Sequence, residues 1–371
     1  MALLASIFVG INIGGSSTGV AFGPSVGSDL ISKKTAGLLM TVFALLGGWT
    51  VGRNVIETMG GRIVPASQFS MTATVIILFF IGLSLLISNL SGVPASTSMT
   101  AVGAIAGLGI ATNSLNWEVM GRIVSWWLVA PTVAFLAGGL IGRYLSVHLD
   151  QRFKIDQSEG PLVEFEKSII PVKIGEGTTK IELASSILVV TIACYMAFSA
   201  GASNVANAVA PLIGSKIVDT GPGILMAVGA MSFGGFTIAR KTLDTVGDGI
   251  TDLPIMASLI VSIVSASIIT ILSSMGVPAS LAISATMCIT GLGWGRASRT
   301  VKIRNTLEGL PKMSSSALMT SKTGPIGEEN AEELMESKLF DPDIIRHVVM
   351  LWILTPSISA AFSYAVFMIV M

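Results

Sequence analysis

Hydroxyl residues follow a proline at two matched places in the apolar stretches of this chain. One place is Val93-Pro-Ala-Ser-Thr-Ser98. The second copy begins Val277-Pro-Ala-Ser280, in which Ser280 corresponds to Ser96. A proline in a first helical turn followed by hydroxyls indicates a helix N-terminus, whose unpaired N–H groups and dipole favour an anion. We therefore expect the hydroxyls of both copies to contact an anion, namely those of Ser96, Thr97, Ser98 and Ser280. Simple capping and packing of the helix is the alternative.

Small and polar residues in the middle of two other apolar stretches form a second group. The group comprises Ser16 and Ser17 after Gly14-Gly15, together with Ser203, Asn204 and Asn207 after Gly201. Such positions favour a broken helix whose freed backbone groups line a cavity, although a small-residue packing face is the alternative. Asn207 favours the cavity, because an amide in hydrocarbon is costly without a partner.

The composition indicates the elements that must position these residues. Of the 371 residues, 51% are hydrophobic and only 12% are charged, and the mean hydropathy is +0.78. In soluble domains roughly a quarter of the residues are charged. The composition of this chain is therefore typical of a protein in a lipid bilayer and not of a disordered, collagen-like or disulfide-rich one. The 22 basic and 22 acidic residues cancel, which gives no indication of a nucleic-acid partner. Cys194 and Cys288 have no metal-binding spacing, and we expect no cofactor.

Ten apolar segments are predicted to be helices. They are residues 2–28, 35–52, 70–90, 93–112, 123–149, 185–213, 221–239, 255–274, 277–295 and 348–371. The hydrophilic stretch 150–182 separates the fifth segment from the sixth, and a second one, 296–346, precedes the tenth. The expected fold is therefore an all-α polytopic membrane protein.

The two halves of the chain are related by an internal repeat. Residues 92–109 align without gaps on 276–293, with ten identities in eighteen positions. In the same order, 14–28 match 201–215 and 47–53 match 234–240. The predicted units are a first repeat, 1–149, a linker, 150–182, and a second repeat, 183–371. Five segments in each half predict inverted repeats, with short or broken helices meeting near the membrane midplane, as in secondary transporters.

The positions of the basic residues predict the orientation. If all ten segments cross the bilayer, one face carries only Arg53, Arg62, Arg122 and Lys216, and the other carries the remaining eighteen. Because basic loops stay inside, both termini are expected outside, and the long loops 150–182 and 296–346 in the cytoplasm of a cell-membrane protein. Allowing the fourth and ninth segments to return to the same side removes this asymmetry, so full crossing is favoured.

The paired motifs resemble those of the inorganic phosphate transporter (PiT) family. The resemblance rests on Gly-Ala-Ser-Asn-Val-Ala-Asn-Ala at 201–208 and Val-Pro-Ala-Ser-Thr at 93–97, and on the stretches 244–251, 125–131 and 352–356. It implies a symporter that binds phosphate with a coupling ion, Na⁺ or H⁺. The substrate contacts that it implies are Ser96, Thr97, Ser98, Ser280, Ser17 and Asn204, and the cation contacts are Ser16, Ser203 and Asn207.

One departure from the family leaves the substrate open. Ser17 and Asn204 stand where the family has an aspartate in each half, so both membrane carboxylates are missing. Phosphate carries a proton that a carboxylate accepts best, whereas sulfate carries none. Family resemblance places phosphate first, with sulfate or another tetrahedral oxyanion second and a non-transporting sensor third. No enzyme motif such as HExxH or GxSxG is present, and a homodimer is one assembly that the sequence leaves open.

Overall fold

Helices account for nearly all of the ordered architecture. The computed structural model describes residues 1–28, 30–91, 96–145, 163–165, 172–174, 180–239, 255–308 and 342–370. The first half contains α1 (Ala2–Gly27), α2 (Lys33–Trp49), α3 (Gly52–Glu57), α4 (Met71–Ser91), α5 (Thr97–Ala111) and α6 (Trp117–Leu140). The second half contains α7 (Lys180–Gly214), α8 (Thr220–Thr237), α9 (Ile255–Ser274), α10 (Leu281–Glu308) and α11 (Pro342–Val370). Each of the ten predicted segments coincides with one of these helices.

Shorter elements extend or connect the helices. A π-helical turn follows α3 (Thr58–Arg62) and another follows α6 (Ile141–Leu145), and a 3-10 turn spans Ala66–Gln68. Two short antiparallel strands, β1 (Val163–Phe165) and β2 (Val172–Ile174), pair within the predicted linker. Apart from residues 180–182, which begin α7, the remainder of that linker lies outside the described residues, as do most of the loop 296–346 and the stretch 244–251.

Polar caps fix where several helices begin. The Ser32 hydroxyl accepts from the Thr35 N–H at 3.2 Å, and the Asn116 side chain accepts from Val119 at 3.1 Å. These contacts satisfy N–H groups that have no partner within the helix. Between the caps, long runs of apolar side chains leave little alternative to helix in a membrane, because every backbone group must be satisfied within the chain.

Several helices have the length and composition of membrane spans. Among the described residues, four qualify alone: Ala2–Gly27, Trp117–Leu145, Leu183–Gly214 and Met256–Ser274. The pair Lys33–Trp49 and Gly52–Arg62, bent by 61°, qualifies as a fifth, and Met71–Ile87, Thr97–Ala111 and Pro356–Val370 are shorter apolar helices. Large apolar side chains such as Leu128 and Ile353 are exposed, while Asn12, Asn207 and Thr100 are buried. This distribution suits a lipid-facing surface.

The prediction of broken first and sixth segments is wrong. Both α1 and α7 run without interruption through the glycine-rich stretches. Gly14 packs against the backbone carbonyl of Met231, and Gly201 packs against that of Ala44. A Cβ at either glycine would collide with that carbonyl, so the glycines permit close helix contact and do not open the helix. The ninth segment also differs from expectation, because its helix, α10, continues past residue 295 to Glu308.

The repeat in the sequence is also a repeat in the packing. Helix α1 packs on α8 and α2 packs on α7; likewise α5 packs on α11 and α6 packs on α10. When each helix is replaced by its repeat counterpart, the pair of α1 and α8 becomes the pair of α7 and α2. In the same way, the pair of α5 and α11 becomes the pair of α10 and α6. The glycine contacts follow the same rule, since Gly14 and Met231 are the repeat counterparts of Gly201 and Ala44. The two halves therefore pack around an approximate two-fold relation.

The start of helix α5 contacts a helix of the second half. Beyond the C-terminus of α5, the Asn116 N–H donates to the Ile63 carbonyl at 2.9 Å. At the N-terminus of α5, the Thr97 hydroxyl donates to the side chain of Asn204, well inside α7, at 2.8 Å. The short helix α5 therefore begins in the interior of the protein, as its length predicts.

Candidate functional site

The first turn of α5 supplies the hydroxyls of the site. Ser96 is the N-cap of α5, and its Oγ accepts from the Met99 N–H at 3.3 Å. The carbonyl of Ser96 accepts from the Thr100 hydroxyl at 2.9 Å. Ser96 thus fixes the start of the helix, and this capping interaction matches the alternative interpretation of its hydroxyl. The two residues that follow, Thr97 and Ser98, point toward α7.

Two hydroxyls of α5 meet polar side chains of α7. The Thr97 hydroxyl donates to Asn204 Oδ1 at 2.8 Å. The Oγ atoms of Ser98 and Ser203 are 3.2 Å apart. Asn207 Nδ2 lies 3.2 Å from both the Thr97 and the Ser98 hydroxyl oxygens and 3.3 Å from Asn204 Oδ1. We call these five side chains the α5–α7 cluster. It joins the motif of the first half to the motif of the second.

Helix α1 contributes one further residue to the cluster's edge. Asn204 Nδ2 donates to Ser17 Oγ at 3.2 Å, so the two positions where the family has aspartates are in contact. Both residues are 7% exposed, and Asn207 is fully buried. Among the described residues, Asn207 Oδ1 has no hydrogen-bond partner. A buried amide oxygen without a protein partner is costly, and a bound water, ion or ligand would satisfy it.

The second copy of the hydroxyl motif lies beside the cluster without joining it. Ser203 donates to the Ala279 carbonyl at 2.6 Å, which brings the start of α10 against α7. The next residue, Ser280, is buried, and its Oγ accepts from the Ile283 N–H at 3.4 Å. Ser280 also lines a small cleft together with Met99, Trp126, Trp127, Ala130, Pro131, Ala279, Ile283 and Ser284.

Ser16 is not brought into the cluster. Its hydroxyl lies 3.1 Å from the Ile13 carbonyl and 3.3 Å from the Asn12 carbonyl, both within α1. The structure therefore unites Thr97, Ser98, Ser203, Asn204 and Asn207, with Ser17 at the edge. It leaves Ser96 and Ser280 as neighbouring helix caps.

Residues without a sequence motif also hold the site. Trp127 Nε1 donates to the Pro278 carbonyl at 2.9 Å, and Arg122 Nη2 donates to the Met275 carbonyl at 2.9 Å. Asn54 Nδ2 donates to the Ser274 carbonyl at 2.8 Å. No spacing in the sequence indicates these contacts, because each acceptor is a backbone carbonyl.

The chemistry of the cluster is neutral. Hydroxyl and amide N–H groups can donate to an oxyanion, and the amide oxygens can ligate a hard cation such as Na⁺. The cluster contains no ionisable side chain, and the described residues hold no group of three or more His, Cys, Asp or Glu. An anion here would be stabilised by dipoles, by the N-terminus of α5 and by a cation bound with it.

These features define a class of protein: a membrane-embedded, multi-pass helical protein whose two halves meet at a buried polar cluster. The chain belongs to the phosphate transporter family, since the family described as PHO4, phosphate transporter family, matches residues 13–363. The match confirms the resemblance to inorganic phosphate transporters. Because this is a transporter family, it also confirms the expectation that the chain is not an enzyme.

Curated relatives cover most of the chain. Sulfate permease CysP of Bacillus subtilis (strain 168) is 29% identical over 364 residues, which covers 98% of this chain and 85% of the relative. A putative phosphate permease of Haemophilus influenzae (strain Rd) is 28% identical over 360 residues, covering 78% and 86%. A putative phosphate permease of Chlamydia muridarum is 26% identical over 389 residues, covering 81% and 91%.

A solved structure shares the fold. It is described as the sodium-dependent phosphate transporter, and it covers 100% of this chain and 98% of its own, with a TM-score of 0.68 and 19% identity. At that identity the similarity shows the fold alone. It confirms the predicted all-helical membrane architecture.

Proposed function

We propose that this protein is a secondary active transporter of a tetrahedral inorganic oxyanion, with phosphate as the first candidate and a cation carried in symport. The observation that carries the proposal is the contact of Thr97 and Ser98 with Asn204 and Asn207. It joins the motifs of both halves in a buried polar cluster. Membership of the phosphate transporter family and the names of the phosphate permease relatives support the substrate class.

The anion is proposed to bind where the cluster's donors converge. In the structure these donors bond mainly to one another, and an oxyanion would replace those weak acceptors with charged oxygens. Hydrogen bonds to a charged group contribute about 1.5–3 kcal/mol each, roughly twice the neutral kind. Thr97, Ser98 and Asn207 are the proposed principal donors, and Ser17, Ser96 and Ser280 are neighbours within the same region.

The coupling ion is proposed to be Na⁺, bound by neutral oxygens. Asn207 Oδ1 is buried and accepts no hydrogen bond from the described residues, so it is available to a cation without displacing a donor. The transporter of solved structure that shares this fold is described as sodium-dependent, which supports sodium as the ion. A cation beside the anion would also offset its charge, which the neutral cluster does not balance.

Sulfate is the second candidate substrate. The cluster holds asparagine and serine where a carboxylate would accept the proton of hydrogen phosphate, and neutral oxygens accept that proton more weakly. Sulfate has no such proton. The relative named sulfate permease CysP aligns over 98% of the chain, which supports this alternative. Further candidates of the same chemistry are other tetrahedral oxyanions without a proton.

The proposed setting is the cell membrane, with both termini outside and the loops 150–182 and 296–346 in the cytoplasm. The uneven distribution of the basic residues supports this orientation. The approximate two-fold packing of the halves supports an inverted repeat. The internal sequence match supports two repeats, 1–149 and 183–371. A homodimer in the lipid bilayer is the proposed assembly to test.

Uptake into proteoliposomes tests the proposed function. Radiolabelled phosphate and sulfate are offered separately, with an inward Na⁺ gradient and with the gradient replaced by choline. We expect saturable uptake that the Na⁺ gradient stimulates, with phosphate inhibiting sulfate uptake and the reverse. Binding without any flux would support the non-transporting sensor instead, and absence of both binding and flux would contradict the proposal.

A further inference from the structure

The loop between α9 and α10 is held by side chains at four backbone carbonyls. We call residues 275–280, with the last carbonyl of α9, the α9–α10 loop. The donors and their acceptors are Asn54 Nδ2 to Ser274 at 2.8 Å, Arg122 Nη2 to Met275 at 2.9 Å, Trp127 Nε1 to Pro278 at 2.9 Å and Ser203 Oγ to Ala279 at 2.6 Å. Three of these donors belong to the first half of the chain.

The loop has a conformation that only glycine adopts easily at its start. Gly276 has φ of +71°, and a Cβ there would lie 2.8 Å from the Thr58 hydroxyl. The cleft lined by Trp127, Ser280 and Ser284 lies immediately behind the loop. Because Ala279 and Ser280 of the loop line this space, moving the loop would change its size.

Ser203 connects the cluster to this loop. A hydroxyl has one proton to donate, and Ser203 uses it on the Ala279 carbonyl. The short Ser98–Ser203 contact is therefore a donation from Ser98 to Ser203. With the amide of Asn207 donating to Ser98, a directed series of hydrogen bonds runs from Asn207 through both serines to the loop.

We infer that Ser203 is a positioning residue that couples occupancy of the cluster to release of the α9–α10 loop. The inference rests on the proposed function. An oxyanion in the cluster competes for the Ser203 proton, because a charged oxygen is a stronger acceptor than a carbonyl. When the Ser203 hydroxyl donates to the anion instead, the Ala279 carbonyl loses its side-chain donor, and the loop loses one of the four side-chain hydrogen bonds named above. The repeat counterpart, Ser16, donates within its own helix and cannot act in this way.

Cysteine labelling measures the release of the loop. The two native cysteines, Cys194 and Cys288, are buried and are replaced by alanine, and Ala279→Cys places a thiol at a position that is 3% exposed. The substitution keeps the backbone carbonyl. The full chain in lipid nanodiscs is treated with a membrane-impermeant maleimide in Na⁺ buffer alone, with saturating phosphate and with saturating sulfate. Equilibrium binding of each radiolabelled anion is measured on the same samples.

We expect the bound anion to raise the labelling rate about ten-fold, the scale of one lost hydrogen bond. Ser203→Ala should label at the raised rate without anion and show no further increase. Trp127→Phe, which removes a different attachment, should raise the basal rate but keep the response. Thr41→Val is the matched control, because its hydroxyl bonds to Gly37 and Ser232 away from the loop, and it should match the parent.

The results separate this inference from the proposed function. If the parent binds an anion but its labelling rate does not respond, or if Ser203→Ala keeps the full response, the coupling by Ser203 is contradicted and the transporter proposal stands. If neither phosphate nor sulfate binds, the proposed function itself fails.

Discussion

Two matched sets of positions carry different side chains: the start of α5 with its partners in α7, and the start of α10 with the counterpart positions of α1. At the first, Thr97 and Ser98 of α5 bond to α7. The repeat positions in the second half are Leu281 and Ala282 of α10. The counterparts of Asn204 and Asn207 in α1 are Ser17 and Val20. Only the first place therefore carries a continuous set of donors.

This asymmetry exists although the backbone repeats closely. Leu281 is buried in the main hydrophobic core, and Val20 packs against the same core. Burying polar groups is costly unless each has a partner, so an apolar second position stabilises the fold. The comparison indicates that one polar cluster serves the whole chain, while the related position has become part of the packed interior.

The largest expected effect comes from removing the amide of Asn207. Asn207→Ala removes a donor to two hydroxyls and should weaken anion binding about 100-fold, the scale of losing one to two bonds to a charge. Its repeat counterpart, Val20→Ala, should change affinity by less than about two-fold, because no donor is lost there. Equilibrium binding of labelled phosphate and sulfate checks both. Equal losses in the two variants would contradict the asymmetry.

The shared backbone is tested by paired glycine substitutions. Gly14→Ala and Gly201→Ala each push a methyl group against a neighbouring carbonyl and should destabilise the protein by about 1–3 kcal/mol. The losses should be similar, since the two contacts are repeat counterparts. Thermal denaturation in detergent measures them. Gly229→Ala is the control, because nothing lies within 4 Å of its added Cβ; tolerance of one partner alone would argue against equivalent packing.

A smaller effect is expected from one hydroxyl of the cluster. Thr97→Val keeps the shape of the side chain but removes the donor to Asn204, and it should weaken anion binding about ten-fold. Thermal stability should change much less than binding. Thr41→Val provides the matched control at a hydroxyl outside the cluster. A stability loss as large as the binding loss would show that the Thr97 hydroxyl is structural.

The smallest effect is expected at Ser16. Its hydroxyl donates to carbonyls of α1, so Ser16→Ala should change Na⁺-stimulated uptake by less than about two-fold. Asn207→Ala, measured in parallel at saturating anion, should lose most of the Na⁺ stimulation. Loss of the Na⁺ stimulation in Asn207→Ala but not in Ser16→Ala would place the cation at α7. Loss of the Na⁺ response in Ser16→Ala would return a cation role to α1.

Much of the architecture was predictable because hydropathy and an internal repeat are strong signals. The ten segments and the early start of α5 after Pro94 followed from composition and from the Val-Pro-Ala-Ser motif. The continuity of α1 and α7 did not follow, because a glycine pair is equally suited to a helix break and to close packing. Only the neighbours at Met231 and Ala44 distinguish the two.

The site was predictable in its members more than in its connections. Repeated motifs singled out Thr97, Ser98 and Asn207, which the structure unites. The different hydrogen bonds of Ser16 and Ser203 were not predictable, although the two residues are repeat counterparts. The Ser16 hydroxyl bonds within its own helix, whereas the Ser203 hydroxyl donates to the Ala279 carbonyl. The side-chain hydrogen bonds to the α9–α10 loop could not be predicted either, because their acceptors are backbone carbonyls, which every residue has.

The position of a bound tetrahedral oxyanion shows whether the α5–α7 cluster is the substrate site. Selenate has the shape of sulfate and an anomalous scatterer at its centre, so a crystal soaked in selenate and Na⁺ reveals its position. We expect an anomalous peak within hydrogen-bond distance of the Thr97 and Ser98 hydroxyls, between α5 and α7. A peak at the start of α10 beside Leu281, with none at the α5–α7 cluster, would contradict it.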